Sequence, residues 1–320
     1  MCFGVRVVPR PPSVIPPPPT RTTIPSSTRG APVLSVIDAL LAVARSDWSA
    51  GAQAARTAAA AEPDSLLPLA LAAFLDGGSE GNIYAEPEGF ERFIQGGANP
   101  ALYAATIDAL REVVAKQRPT TLLDIGCGDG RVTAAVASEG IDLVTLVEPS
   151  EALLGEAVAA FQGSTCTVSP HQMTAEAFVA DFARSDTWSL VQSTFAFHTL
   201  NASQRHEVLR ALATRSRSIA LVEFDVPDFD DGGTEHARYT AERYERGLAE
   251  YPGDDTVAQR FLMPVLVGQF DPDQTRLTHE QSALRWCDDL RACGFTAVTS
   301  APIFPYWWGT AVLIQGRGAL

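Results

Sequence analysis

Residues 121–130 read TLLDIGCGDG, a short apolar run holding Asp124 and followed by glycines at every second position, Gly126, Gly128 and Gly130. A strand that runs into such a turn lets bare backbone approach a bound cofactor closely, because only glycine takes up the needed conformations freely. A dinucleotide fingerprint would read Gly-x-Gly-x-x-Gly, and the place of its last glycine is held by Arg131, which excludes that spacing. RVTAAVASEG (131–140) has a helical pattern stopped by Gly140, and IDLVTLVEPS (141–150) reads as a second buried strand ending in Glu148. An acid at that point can accept hydrogen bonds from two ribose hydroxyls. A glycine turn with no ligand is the plainer reading of the run alone, and its pairing with Glu148 outweighs it.

Proton transfer near neutral pH suits histidine. His198, a few residues past the apolar run within WSLVQSTFAFHTL (188–200), is the leading base candidate, against the alternative of a histidine bonded at a helix start. His236 and Tyr239 lie on a helix at 232–251 and rank behind it, and Tyr84 completes the catalytic candidates. The turn Phe304-Pro305-Tyr306-Trp307-Trp308 holds four aromatics in five residues and is read as one wall of a pocket for a flat acceptor, or else as an apolar plug. Phe93, Tyr103, Phe195 and Tyr239 join Tyr306, Trp307 and Trp308 as expected acceptor contacts. Asp228, Asp230 and Asp231 crowd one loop and read as a solvated acidic turn, so no metal is expected.

The pattern Asp124-x-Gly126-x-Gly128-x-Gly130 resembles the first motif of the class I S-adenosylmethionine-dependent methyltransferases, and Glu148-Pro149 stands where that family carries its second-strand acid. The resemblance implies S-adenosyl-L-methionine as cofactor, bound by Asp124, Gly126, Cys127, Gly128, Glu148, Pro149, Gln172, Met173, Gln192 and Ser193. Two departures bear on the acceptor and on the adenine contact. Family members that methylate exocyclic amines of bases or glutamine side chains carry Asn/Asp-Pro-Pro-Tyr after the fourth strand, where this chain has Gln192-Ser193-Thr194-Phe195, so that class is set aside. The acid that often follows the third strand is replaced by Gln172, with Met173 beside it. More narrowly, GFERFIQGGANPALY (89–103) and FPYWWGTAVLIQGRG (304–318) are similar to bacterial indole C3-methyltransferases acting on tryptophan-containing cyclic dipeptides.

The elements that must position these residues alternate between strand and helix: strands at 164–170, within 188–200, at 218–227 and in the last two segments, and helices from Ser203 and over 279–295. The alternation predicts an α/β, Rossmann-like doubly wound sheet. The family implies seven strands with the last antiparallel. Residues 33–116 read as an alanine-rich N-terminal helical cap, 117–320 as the methyltransferase domain with an insertion at about 228–270, and the proline-rich stretch 1–32 as a disordered tail in which proline breaks every candidate signal peptide.

Composition narrows the partners. A formal net charge of −14 offers no basic surface for nucleic acid, and the apolar run at 66–75 is too short to span a bilayer. Five cysteines without a C-x-x-C pair suggest a reduced, cytoplasmic chain, and a homodimer is left open. Methyl transfer from a sulfonium is an in-line displacement that needs collinear positioning more than a base. The expected function is methylation of a small aromatic natural product of secondary metabolism, best matched by attack from indole C3 to give a pyrroloindoline. The alternatives are O- or N-methylation of a phenolic or amine metabolite and, in another class, a cofactor-binding partner protein without catalysis.

Overall fold

The computed structural model describes residues 32–77, 87–137, 140–181, 186–274, 276 and 278–320. The N-terminal stretch 1–31 and the candidate Tyr84 lie outside the described residues. Helices α1 (Pro32–Val43), α2 (Trp48–Ala61), α3 (Leu66–Asp76), α4 (Pro87–Gln95) and α5 (Asn99–Gln117) precede the first strand. The Asp47 carboxylate caps α2 by accepting from the Ala50 N–H at 3.0 Å. The small residues Gly51, Ala52, Ala55 and Ala58 are the buried face of α2, and a methyl group at Gly51 would stand 3.3 Å from both Ala39 O and Val43 Cγ2 of α1. The alanine content of this region is therefore what lets two helices pack closely.

From Thr121 the chain alternates: β1 (Thr121–Ile125), α6 (Arg131–Val136), β2 (Leu143–Val147), α7 (Glu151–Ala159), β3 (Thr167–His171), α8 (Ala175–Asp181), β4 (Leu190–Thr194), a 3-10 turn at Phe197–Thr199, α9 (Ala202–Ala213) and β5 (Ser218–Asp225). The inserted segment follows as α10 (Thr234–Ala249), α11 (Asp255–Val257), a π turn over Ala258–Leu262 and α12 (Met263–Gly268). Then come α13 (Ala283–Ala292), β6 (Thr296–Pro305) and β7 (Thr310–Arg317). Strand order is β3-β2-β1-β4-β5-β7-β6. Every pairing among β1 to β5 is parallel, and β7 runs antiparallel to both β5 and β6. The order reverses beside β1, so the crevice at its carboxyl end is the ligand site of this fold type.

Alternation of side chains sorts the core into two layers. Leu122, Val144, Leu146, Leu190 and Val222 pack toward α5, α6 and α7, while Leu123, Ile125, Val191, Ile219 and Leu221 pack toward α9 and α13 around Trp286. A third cluster joins α1, α2 and α3 to α10 and α12, and the aromatic turn, through Tyr306 and Trp308, belongs to it. The N-terminal helices and the helices after β5 thus bury their apolar faces in one shared cluster. Two helices are shorter than expected: α6 stops at Val136, where Ala137 is extended, instead of running to Gly140, and α13 spans Ala283–Ala292 instead of 279–295. Among the described residues no helix is long and apolar enough to cross a membrane.

Candidate active site

The glycine turn leaves β1 with Gly126 and Gly128 in the left-handed region, at φ 70° and 54°. A methyl group on Gly126 would meet Ala196 Cβ at 2.4 Å, whereas one on Gly128 would meet nothing within 4 Å. Gly126 is therefore required by packing, and Gly128 borders open space at the carboxyl edge of the sheet. The Gly128 N–H donates to Glu148 Oε2 at 3.1 Å, and the Ser150 N–H donates to Oε1 at 3.0 Å. Each carboxylate oxygen keeps a further lone pair, so Glu148 can still accept from two hydroxyls. Pro149 beside it is exposed, and the Glu148 N–H donates to His171 O at 3.2 Å, which ties this corner to the end of β3. Gln172 is exposed there, and Met173 is half-buried against the cluster around Phe178.

Asp124 is buried beneath the turn. Its Oδ2 accepts from the Thr133 hydroxyl and from Gln192 Nε2, the latter at 3.2 Å, and Oδ1 is buried with no partner among the described residues. Burial pushes the carboxyl up to about 6; the two hydrogen bonds pull it down and the Glu148 charge adds to the rise. A buried acid with one idle oxygen, next to an open glycine and an accepting carboxylate, fits a cofactor that carries a positive sulfonium, an amino group and a ribose. Gln192 and Ser193 are fully buried: Gln192 supports Asp124, and the Ser193 hydroxyl donates to Ile125 O at 2.7 Å. Both brace β1 against β4 rather than facing the crevice. Burial, reinforced by Asp124 and Glu148, pushes the Cys127 thiol up, so Cys127 is a neutral thiol and not a nucleophile.

Beyond the turn lies a cavity of about 210 Å³ whose wall includes Phe93, Tyr103, Phe195, Tyr306, Trp307 and Trp308, all named from the sequence. Phe195 has φ 50°, a strained value for an aromatic residue, and stacks on Phe224 with centroids 4.6 Å apart at 15°. Phe224 stacks in turn on Tyr306 at 5.3 Å. Tyr103 meets Phe195 edge-on at 6.1 Å and lies under the Arg131 guanidinium at 5.5 Å, which joins the cavity to the glycine turn. The aromatic turn is both wall and packing: the Tyr306 hydroxyl donates to Asn99 Oδ1 at 3.0 Å, while the indole N–H groups of Trp307 and Trp308 are buried without partners among the described residues.

His198 lines the same cavity. Its Nδ1–H donates to Glu223 Oε2 at 2.8 Å, and its backbone N–H donates to Oε1 at 3.2 Å. Burial pulls the imidazole down, but the charge and hydrogen bond of Glu223, helped by Glu280 and opposed by Arg205, hold it above its ordinary 6.5. With Nδ1 committed, Nε2 keeps the lone pair.

His236 is elsewhere and is moved out of the catalytic set. Its Nδ1 accepts from the Gly232 N–H at 3.2 Å, and its Nε2–H donates to Gln269 Oε1 at 3.3 Å. It lies between the rings of Phe229 and Phe270, and burial lowers it. No lone pair remains for a substrate proton. Tyr239, expected as an acceptor contact, donates its hydroxyl to Trp308 O at 2.7 Å and lines a neighbouring polar chamber with His236. Two of the three acids of the 228–231 loop are spent on arginines, Asp228 on Arg285 and Asp231 on Arg276.

Glu223 and Glu280 were not among the site residues read from the sequence. Glu223 lies in the last part of the predicted strand 218–227, in the stretch Glu223 to Val226 expected at the ligand edge, a usable signal. Glu280 was expected in the first turn of a helix over 279–295; the helix starts only at Ala283, and the pairing of Gln281 alongside Asp225 brings the segment before it to the site.

Residues 122–217 match the model of a methyltransferase domain family. No curated protein matches the sequence. Among solved structures the chain is similar to PigF with SAH at 16% identity, covering 68% of this chain and 56% of that one with a TM-score of 0.46. It is similar to magnesium protoporphyrin IX methyltransferase from Synechocystis PCC 6803 with bound SAH, at 14% identity, 72% and 94% coverage and TM-score 0.48. It is also similar to 1,6-didemethyltoxoflavin-N1-methyltransferase from Burkholderia thailandensis, at 16% identity, 67% and 78% coverage and TM-score 0.44. The chain spans little more than half the length of PigF. By that match residues 122–217 form a methyltransferase domain, and the strand order and the glycine turn agree with it. The Glu148 carboxylate, the open Gly128 and the buried Asp124 fit S-adenosylmethionine, the cofactor expected from the sequence.

Proposed function

We propose that the chain methylates a flat aromatic small molecule held in the aromatic cavity, with C3 of the indole in a tryptophan-containing cyclic dipeptide as acceptor and a pyrroloindoline as product. The observation that carries this reading is the continuous aromatic wall from Tyr103 through Phe195 and Phe224 to Tyr306, which starts at the glycine turn. When bound, the cofactor supplies an electrophilic methyl on sulfur. Asp124 and the backbone of Gly126, Cys127 and Gly128 would hold its cationic end, Glu148 would take the ribose hydroxyls, and Met173 would be the apolar contact for the adenine.

The aromatic faces hold the acceptor ring in line and exclude water, which strengthens positioning in a displacement that loses charge at sulfur. As the C3–CH3 bond forms and the S–CH3 bond breaks, the ring becomes an iminium cation, which aromatic faces stabilise. Closure by the dipeptide amide nitrogen onto C2 releases one proton, and His198 Nε2 accepts it while Glu223 holds the imidazolium.

O- or N-methylation is the second reading, favoured by the same His198–Glu223 pair, because a phenol or an ammonium must lose a proton. Incubation with cofactor and cyclo-(Trp-Trp), followed by mass spectrometry and absorbance, separates the two. Gain of one methyl mass with loss of an indole chromophore supports C3 attack; methylation only of phenols or amines, with indoles untouched, rejects it.

A further inference from the structure

Next to the aromatic cavity lies a polar chamber of about 310 Å³, and Gln269, Glu280 and Trp308 line both. Most polar groups of the chamber are spent. Arg276 pairs with Asp231, Arg285 with Asp228, and Arg205 with Asp289 and Gln281. Gln269 is bonded at both ends, to His236 and to Tyr244. Glu280 differs: half-buried, its carboxylate has no hydrogen bond or ion pair among the described residues. Its position is set, because the Val226 N–H donates to Gln281 O at 3.2 Å and pins the segment to the end of β5. A carboxylate that lines a cavity without a protein partner has its oxygens free to accept from an incoming donor.

Size points the same way. The aromatic cavity, at about 210 Å³, lies below the roughly 300–1,000 Å³ of ordinary small-molecule sites, so it takes a ring system and leaves the remainder of the acceptor to be housed elsewhere. We propose that the polar chamber is a second acceptor subsite, taking a nitrogen-bearing substituent whose N–H donates to Glu280. This rests on the aromatic-acceptor reading above. The donor is an ammonium or an amide N–H, and an acceptor with a carboxylate in this place is rejected by like charge.

The test is calorimetric titration of the full chain saturated with S-adenosylhomocysteine, using tryptamine, cyclo-(Trp-Trp), 3-ethylindole and indole-3-propionate. At least one of the two N–H-bearing probes should bind about tenfold or more tighter than 3-ethylindole, with the propionate weakest. Glu280→Ala should abolish the preference, and Glu280→Arg should turn it toward the propionate, with S-adenosylhomocysteine affinity unchanged as the check on folding. Glu280→Gln should reduce an ammonium preference and spare an amide one, which identifies the donor. Identical ratios in the native chain and every variant overturn the subsite while 3-ethylindole binding leaves the aromatic cavity standing. If none of the four probes binds, both fall.

Discussion

Glu223 holds His198 at two points, through Nδ1 at 2.8 Å and through the backbone N–H at 3.2 Å. One carboxylate near the end of β5 therefore sets both the place of the histidine and its tautomer. The arrangement has consequences for rate, pH dependence and stability.

Removing the imbalance of charge should be visible in the pH profile. His198 works as a base only when neutral, so turnover through it declines as pH falls below its raised value. Glu223→Gln lowers that value, since burial is the largest single influence on the imidazole and is overcome only by the charge and hydrogen bond of Glu223 together with the charge of Glu280, with Arg205 opposing. The acidic limb of kcat/KM should move to lower pH and the plateau should drop about 10- to 100-fold, while His198→Ala costs about 10²- to 10⁴-fold. Unchanged turnover in His198→Ala would leave the pair a purely structural one.

The two glycines of the turn should fail differently. Gly126→Ala meets Ala196 at 2.4 Å in a left-handed conformation, so a marked fall in melting temperature is expected. Gly128→Ala meets no atom and bears only the left-handed cost of about 1–2 kcal/mol. Its folded fraction should survive while S-adenosylhomocysteine affinity collapses. Paired melting and calorimetry on both variants decide it; equal affinity in Gly128→Ala would separate this glycine from the cofactor.

Asp124 ties cofactor affinity to pH. With its carboxyl pushed up to about 6, the fold favours the neutral acid, so its contribution to stability is full below about 4 and is lost as pH rises through 6. The span between an ordinary aspartate and this one corresponds to about 3 kcal/mol. A cationic cofactor reverses the preference, and its affinity should rise as pH passes 6. Asp124→Asn should bind weakly at every pH and lack the pH-dependent change in melting temperature. A native chain whose affinity is flat from pH 5 to 7.5 would count against the contact. Alanine is the poorer probe, because it also strips the partner from Gln192 Nε2.

His236 supplies a contrast to His198. His236→Gln should lower the melting temperature, since it breaks the bonds to Gly232 and Gln269 and the stacking between Phe229 and Phe270, with a loss of about 1–3 kcal/mol. The pH profile of turnover should keep its shape. A displaced acidic limb in this variant would return His236 to the chemistry.

Much was legible in the chain alone. Asp124, the glycine run and Glu148 lie within one strand-turn-helix-strand unit, so local spacing carried their geometry, and the alternation of Leu122 with Leu123 announced a sheet covered on both faces. The aromatic residues 304–308 were legible as a turn at the ligand edge because β6 and β7 are neighbours in sequence. Tertiary structure decided which histidine keeps a free nitrogen, since Glu223 and Gln269 stand 25 and 33 positions from the imidazoles they engage. It also turned Gln192 and Ser193 inward, through bonds to β1 that depend on which strands are paired. Glu280 reached the cavities through a bridge to β5 formed by the segment before α13. Periodicity reports the face of an element, and contacts between distant segments follow from the packing of whole layers, which no local spacing encodes.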